Sequence, residues 1–221
     1  MNRNGGRERL TALLLGLMVG LVIAPAARAE EWVEPANNRP GATRRSGDLL
    51  ERAQQLSAEG QVDAAIREYQ IAIQADPHHV EALYQLANLF ARLKRWAQTA
   101  ATAEKAYKID NRNADVQALW GHALLRMGRH PEAIWVLEGV VRLNSGRSLA
   151  QVYYDLGQAC FAMKWLDRSV DYALRHLQLK DTPQGHALLA RSYLAQGHRE
   201  KALSELQRSV HLYEQVEDAQ R

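Results

Sequence analysis

The strongest constraint on this chain is a beat of 34 residues. Gly60, Lys94 and Gly128 stand 34 apart, as do Ala53, Ala87 and Gly121, and the pair Ala72 and Ala106. Asp76, Asp110 and Asn144 mark the same interval. The frame then slips: Gly157 follows Gly121 by 36 residues and Ala190 follows Gly157 by 33. A period of this size signals an array of one small structural unit, each too small to bury its own apolar face and each completed by its neighbours. The units read off the sequence are 46–79, 80–113, 114–149, 150–182 and 183–216.

Within a unit the composition is helical. Leu, Ala, Gln, Glu and Arg dominate from Ser46 onward, and the alternation of a strand is missing. Each unit reads as two helices of about a dozen residues joined by a short turn. Gly60, Gly128 and Gly197 occupy the turn, where the backbone turns left-handed at low steric cost. Lys94 and Lys164 hold the same place in the other two units and imply slightly strained turns. The first helix pairs a large residue with a small one, in Leu86-Ala87, Trp120-Gly121, Leu156-Gly157 and Leu189-Ala190. The second helix carries Ala65, Thr99, Ala133, Ser169 and Ala202 where packing is tight, with Tyr69, Leu137 and Leu206 one turn later.

This pattern resembles the tetratricopeptide repeat. The first unit carries the match best, with Leu49, Ala53, Leu56, Gly60, Ala65, Tyr69, Ala72 and Pro77. The third unit lacks the closing proline; the fourth departs further, with Cys160 and His176 in places the family gives to other residues. The resemblance implies an all-α solenoid of five helix–turn–helix units forming a right-handed superhelix, with a concave groove lined by the first helices. By that geometry Tyr84, Asn88, Arg92, His122, Arg126, Tyr154, Gln158 and Arg191 face the groove, with three arginines and no acidic residue among them. Arginine pairs with carboxylates and tyrosine supplies rigid contact area, so the expected guest is an extended, mildly acidic segment of another protein. The lysine and arginine clamp by which some members of the family grip a C-terminal carboxylate is matched here only at Asn88.

The last helix supplies a second expected surface. Leu203, Leu206, Val210 and Tyr213 share one stripe and are read as inward. Leu212 and Val216 lie off it, on a face no later unit covers, and are read as a contact for a partner or a second copy of the chain.

The N-terminus reads as an address. Three arginines precede the uncharged run LTALLLGLMVGLVIA at 10–24, followed by Ala27-Arg28-Ala29, the layout of a secretory signal peptide over residues 1–29. Fifteen apolar residues are short for a membrane span; an uncleaved anchor is the alternative and would be the only tie to a membrane. Residues 30–45 read as a flexible leader and 217–221 as a tail. The body is therefore expected in a periplasm. The formal charge of +3 lies wholly in residues 1–29; the remainder holds 24 basic and 24 acidic residues, so nucleic acid is not an expected partner.

Chemistry is absent from the pattern. The single Cys160 forms no disulfide framework and reads as a small buried hydrophobe. None of the eight histidines pairs with another at three or four residues, as a helical metal site requires, and no phosphate loop or serine elbow occurs. Acids such as Asp63, Glu68, Asp167 and Asp171 read as solvated ion pairs beside Arg67, Arg168 and Arg175. Trp96, Trp120, Trp135 and Trp165 read as core and inter-repeat packing. The expectation is a non-catalytic scaffold or adaptor in assembly of a cell-envelope complex, without cofactor or metal. The alternative is a groove that binds a small ligand or glycan through Tyr84, Tyr154 and His122, as in polysaccharide export.

Overall fold

The computed structural model describes residues 40–143 and 149–218, with side chains over 46–143 and 149–215. The expected signal, the start of the leader, Asn144 and the side chain of Val216 lie outside the described residues. Ten helices follow one another: α1 (Pro40–Ala58), α2 (Val62–Ala75), α3 (Val80–Arg92), α4 (Trp96–Ile109), α5 (Ala114–Arg126), α6 (His130–Leu143), α7 (Leu149–Ala162), α8 (Leu166–Leu179), α9 (Pro183–Ala195) and α10 (Arg199–Asp218). They pair as five hairpins; α7 starts at Leu149, one residue before the expected fourth unit, and α10 runs to Asp218, two residues past the expected end of the fifth. At the front α1 begins at Pro40, so the end of the expected leader is helical. Proline fits there, since a helix's first residues have no intrahelical use for their N–H groups.

Each hairpin closes with the same hydrogen bond. The backbone N–H of Gln61, Arg95, Arg129, Trp165 and His198 reaches the carbonyl five residues back, on Leu56, Phe90, Leu124, Cys160 and Tyr193, at 2.9 Å every time. This is the helix-ending bond of a Schellman turn, and it demands a left-handed residue before the donor. Gly60, Gly128 and Gly197 supply it with φ of 77°, 77° and 85°; Lys94 and Lys164 supply it at 58° and 60°, against the steric preference of a side-chain-bearing residue.

The large–small pairs set how closely helices approach. A Cβ on Gly121 would sit 2.5 Å from Leu137 Cδ2, and one on Gly157 2.9 Å from Leu188 Cδ2. Gly121 thus seats the second helix of its own hairpin, and Gly157 the first helix of the next. Tyr69 and Leu137 are buried as expected. Core polar groups are satisfied locally: Thr99 Oγ1 donates to Arg95 O at 3.1 Å, and Ser169 Oγ donates to Gly157 O at 2.9 Å. Each helix packs mainly on its chain neighbours, and first helices also touch the first helix of the next unit. The groove-forming helices α3, α5, α7 and α9 therefore stand in one row. No helix among the described residues is long and apolar enough to cross a membrane.

Candidate functional site

The row of first helices converges on a charged centre at α5 and α7. Asp155, only 3% exposed, sits one hydrogen bond from His122, with Nδ1 and Oδ2 2.8 Å apart. A carboxylate only accepts, so the ring proton lies on Nδ1. The other oxygen of Asp155 accepts from Gln151 Nε2 at 2.9 Å. The Trp96 ring meets His122 edge to face at 5.6 Å, and the Arg126 guanidinium lies over the same indole, 5.3 Å from its centroid. The sequence reading placed no acid in this groove; Asp155 is that acid, held beneath His122 as its fixed partner.

One unit further on, a cavity of about 250 Å³ opens between Arg126 and Arg191, floored by Leu125, Phe161 and Leu188 and walled by Gln158 and His130. Arg191 lies 4.5 Å above the Phe161 ring. Both arginines are thus braced against aromatic rings and carry no ion pair among the described residues, so their charge is available to a guest. His130 Nδ1 is buried without a hydrogen-bond partner, a cost that a guest supplying one would remove. Tyr154 stands beside this cavity with its ring 5.3 Å from that of His176. Burial holds its phenol above the usual range, so it remains a neutral donor.

The structure thus brings together His122, Arg126, Tyr154, Gln158 and Arg191. Tyr84, Asn88 and Arg92, on the preceding first helix, are not among the residues lining that cavity. Tyr84 is half-buried against the cluster of Leu83, Ala106 and Val116. Asn88 is half-buried and Arg92 exposed on α3, with no hydrogen bond to the centre among the described residues.

The reading of α10 inverts. Leu203, Leu206, Val210 and Tyr213, expected to face inward, are 59%, 43%, 55% and 46% exposed. Ala202 and Ser209 face inward instead, with Ser209 Oγ donating to Pro183 O at 2.8 Å, and Leu212 is half-buried. The uncovered end face is the Leu203–Tyr213 stripe and not Leu212. Two tryptophans are corrected as well: Trp135 and Trp165 are exposed, the latter under the Arg168 guanidinium. Trp120 alone packs on the main core cluster.

The surface acids pair more widely than expected. Arg175 takes Asp171 within its helix, but Glu68 meets Arg52 and Arg168 meets Glu138 across helices. Cys160 is fully buried and its thiol is pushed up to about 11 by that burial, as befits a packing residue. His186 bridges two carboxylates, Nδ1 to Glu205 and Nε2 to Asp181, both at 2.6 Å. These acids lie on opposite edges of the ring and so do not converge on one point. Among the described residues no three such side chains form a metal-binding group.

No curated protein matches the chain. Among solved structures, a MamA crystal structure superposes with a TM-score of 0.71 at 20% identity, covering 80% of this chain and 96% of its own. MamA from Desulfovibrio magneticus RS-1 gives 0.71 at 19%, covering 77% and 96%. YrrB, described as a TPR protein with an unusual peptide-binding site, gives 0.66 at 19%, covering 74% and 84%. At such identities the likeness is one of fold. The sequence pattern of the tetratricopeptide repeat, however, matches residues 50–114 and 119–185 directly, more than half the chain, and with five hairpins closed by one recurring bond this protein belongs to the tetratricopeptide repeat family.

Proposed function

We propose that this protein is a non-catalytic adaptor, exported to the periplasm, that holds an extended acidic segment of an envelope protein in the groove between α5 and α9. The tetratricopeptide fold is a scaffold for protein–protein interaction. The observation that carries the finer reading is the pair Arg126 and Arg191, each braced on an aromatic ring and flanking a cavity with an apolar floor. Arginines so placed are ordered before a guest arrives, which reduces the entropy lost on binding. A carboxylate with a short apolar neighbour satisfies both the charges and the floor. The N-terminal signal pattern supports export.

The test places a photoreactive residue at Gln158 in cells and asks what is cross-linked, with and without Arg126→Glu and Arg191→Glu. The expected result is a protein captured by the parent and lost from the charge-reversed variant, with helical content retained. The same isolated partner should bind the purified parent and fail to bind the variant. Equal capture and binding by both would remove the groove from consideration. For export, sequencing the protein recovered from the envelope fraction should begin at Glu30.

A further inference from the structure

The repeats are their own control. One position in the array can be followed from unit to unit, and at the junction of units two and three it exchanges an apolar core residue for an amide. Leu83 on α3 is a core residue, 2% exposed; the residue 34 later is Gln117 on α5, just as buried at 5%. Its Nε2 donates to Asn111 O at 2.6 Å, but its Oε1 accepts from nothing among the described residues. That oxygen reaches the solvent-filled space in front of Gly139, where a leucine would offer a guest no acceptor.

The surrounding substitutions change the lining of the space in front of that oxygen, since the preceding unit has a cavity of about 500 Å³ at the same place lined by Leu83, Ala101 and Lys105. Lys105 of the previous unit becomes Gly139, and a Cβ there would lie 2.6 Å from Gln117 Oε1. Ala101 becomes Trp135, 58% exposed, its indole held edge to face on Trp120 at 6.5 Å, which in turn packs on Tyr107 at 5.0 Å. His78 becomes Arg112 and Lys108 becomes Arg142. These residues line a cavity of about 310 Å³. It has two guanidiniums, no acid in its lining, the aromatic side chains of Tyr107 and Trp135 and one amide acceptor. In unit five the same position is His186, and there both ring nitrogens are taken by carboxylates. His186 also lines a cavity, of about 400 Å³, but shares it with the acids Asp181 and Glu205 that occupy its nitrogens; at Gln117 the cavity meets an amide oxygen that accepts from no described residue.

The lining reads as a list of what the guest must carry: a flat apolar face for Trp135, a donor for Gln117 Oε1, and an anion for Arg112 and Arg142. One ring supplies all three when it is a sugar acid, through its C–H face, a hydroxyl and its carboxylate. The cavity is at the low end of ligand pockets and holds one or two such rings. We propose that this junction binds a hexuronate-type sugar, free or as a residue of an acidic glycan, at a site separate from the groove.

The experiment follows the tryptophan indole N–H signals of the purified protein, with Trp135 assigned through Trp135→Phe, as glucuronate, an oligouronate, glucose or a glutamate-rich peptide is added. Glucuronate should move the Trp135 signal with millimolar affinity and glucose should bind at least about tenfold more weakly, the loss of one charge-assisted contact. An oligouronate that binds where the monosaccharide does not assigns the site to a glycan chain and supports the proposal. Gln117→Leu and Gly139→Lys restore the residues of the preceding unit. Gln117→Leu should keep or raise the melting temperature while weakening uronate binding about tenfold or more. Arg126→Glu, in the groove, should change nothing at this site. Glucose binding as tightly as glucuronate, the peptide shifting Trp135 in place of the sugar, full binding by Gln117→Leu, or no shift with any uronate would each overturn the proposal.

Discussion

Arg126 and Trp96 belong to different repeat units, yet the guanidinium of one rests over the indole of the other, 5.3 Å from its centroid. The contact ties the groove's charge to the seam between hairpins. Trp96→Ala should therefore loosen Arg126 and weaken binding of an acidic partner severalfold, as expected for an exposed cation–π contact of about 0.5–1 kcal/mol. Isothermal titration with the partner identified by cross-linking measures this, and an unchanged affinity would show that Arg126 needs no support.

Asp155 is a buried carboxylate with two side-chain partners, His122 and Gln151. His122→Ala removes one and leaves that oxygen unsatisfied, so the protein should lose about 1–3 kcal/mol in urea unfolding. His198→Ala, at an exposed turn, serves as the contrast and should cost well under that.

Lys94 and Lys164 hold left-handed backbone that glycine occupies in the other three turns. Lys94→Gly and Lys164→Gly should each stabilise the fold by about 1 kcal/mol. Gly121→Ala should do the reverse: its Cβ would collide with Leu137, and overpacking of this kind costs about 1–3 kcal/mol. Chemical denaturation midpoints decide both.

Cys160 gives a pH signature. Its thiol is raised by burial from 9.0 to about 11. The folded state therefore holds a proton that the unfolded chain releases, so this group's contribution is full below about 9 and is lost as pH rises toward 11. The unfolding midpoint should fall between pH 8 and 10.5 more for the parent than for Cys160→Ala. In the folded state the thiol should resist alkylation at neutral pH and react on unfolding.

The stripe on α10 is outward, so Leu206→Glu with Val210→Glu should leave the unfolding midpoint nearly unchanged, within about 0.5 kcal/mol. Ser209→Leu, which intrudes on an inward position, should destabilise.

The array was legible because its period is stamped into residues with one steric role each: the turn glycines, the small residue after a large one, the small residues of the second helix. In α10 the small-residue series, and not the apolar stripe, marks the inward face. Ala65 and Ala72, or Thr99 and Ala106, mark the buried edge at a spacing of seven, and Ala202 and Ser209 continue it. In the final helix no later unit covers the other side, so a leucine stripe there says nothing about what lies inside. Asp155 is illegible in the sequence because its partner His122 lies 33 residues away, and no local period couples them. The exposure of Trp135 is hidden by its aromatic character: it stands where the preceding unit has Ala101, on the wall of a junction cavity and not in the core.

The five turns closed by one repeated bond have a mechanical corollary. Since each hairpin leans chiefly on the hairpins beside it, a perturbation fades within a unit or so, and the molecule behaves as a short spring with independent coils. A guest clasped between α5 and α9 would stiffen those coils alone and leave the first two hairpins as supple as before, so slowed amide exchange would map where the spring is gripped.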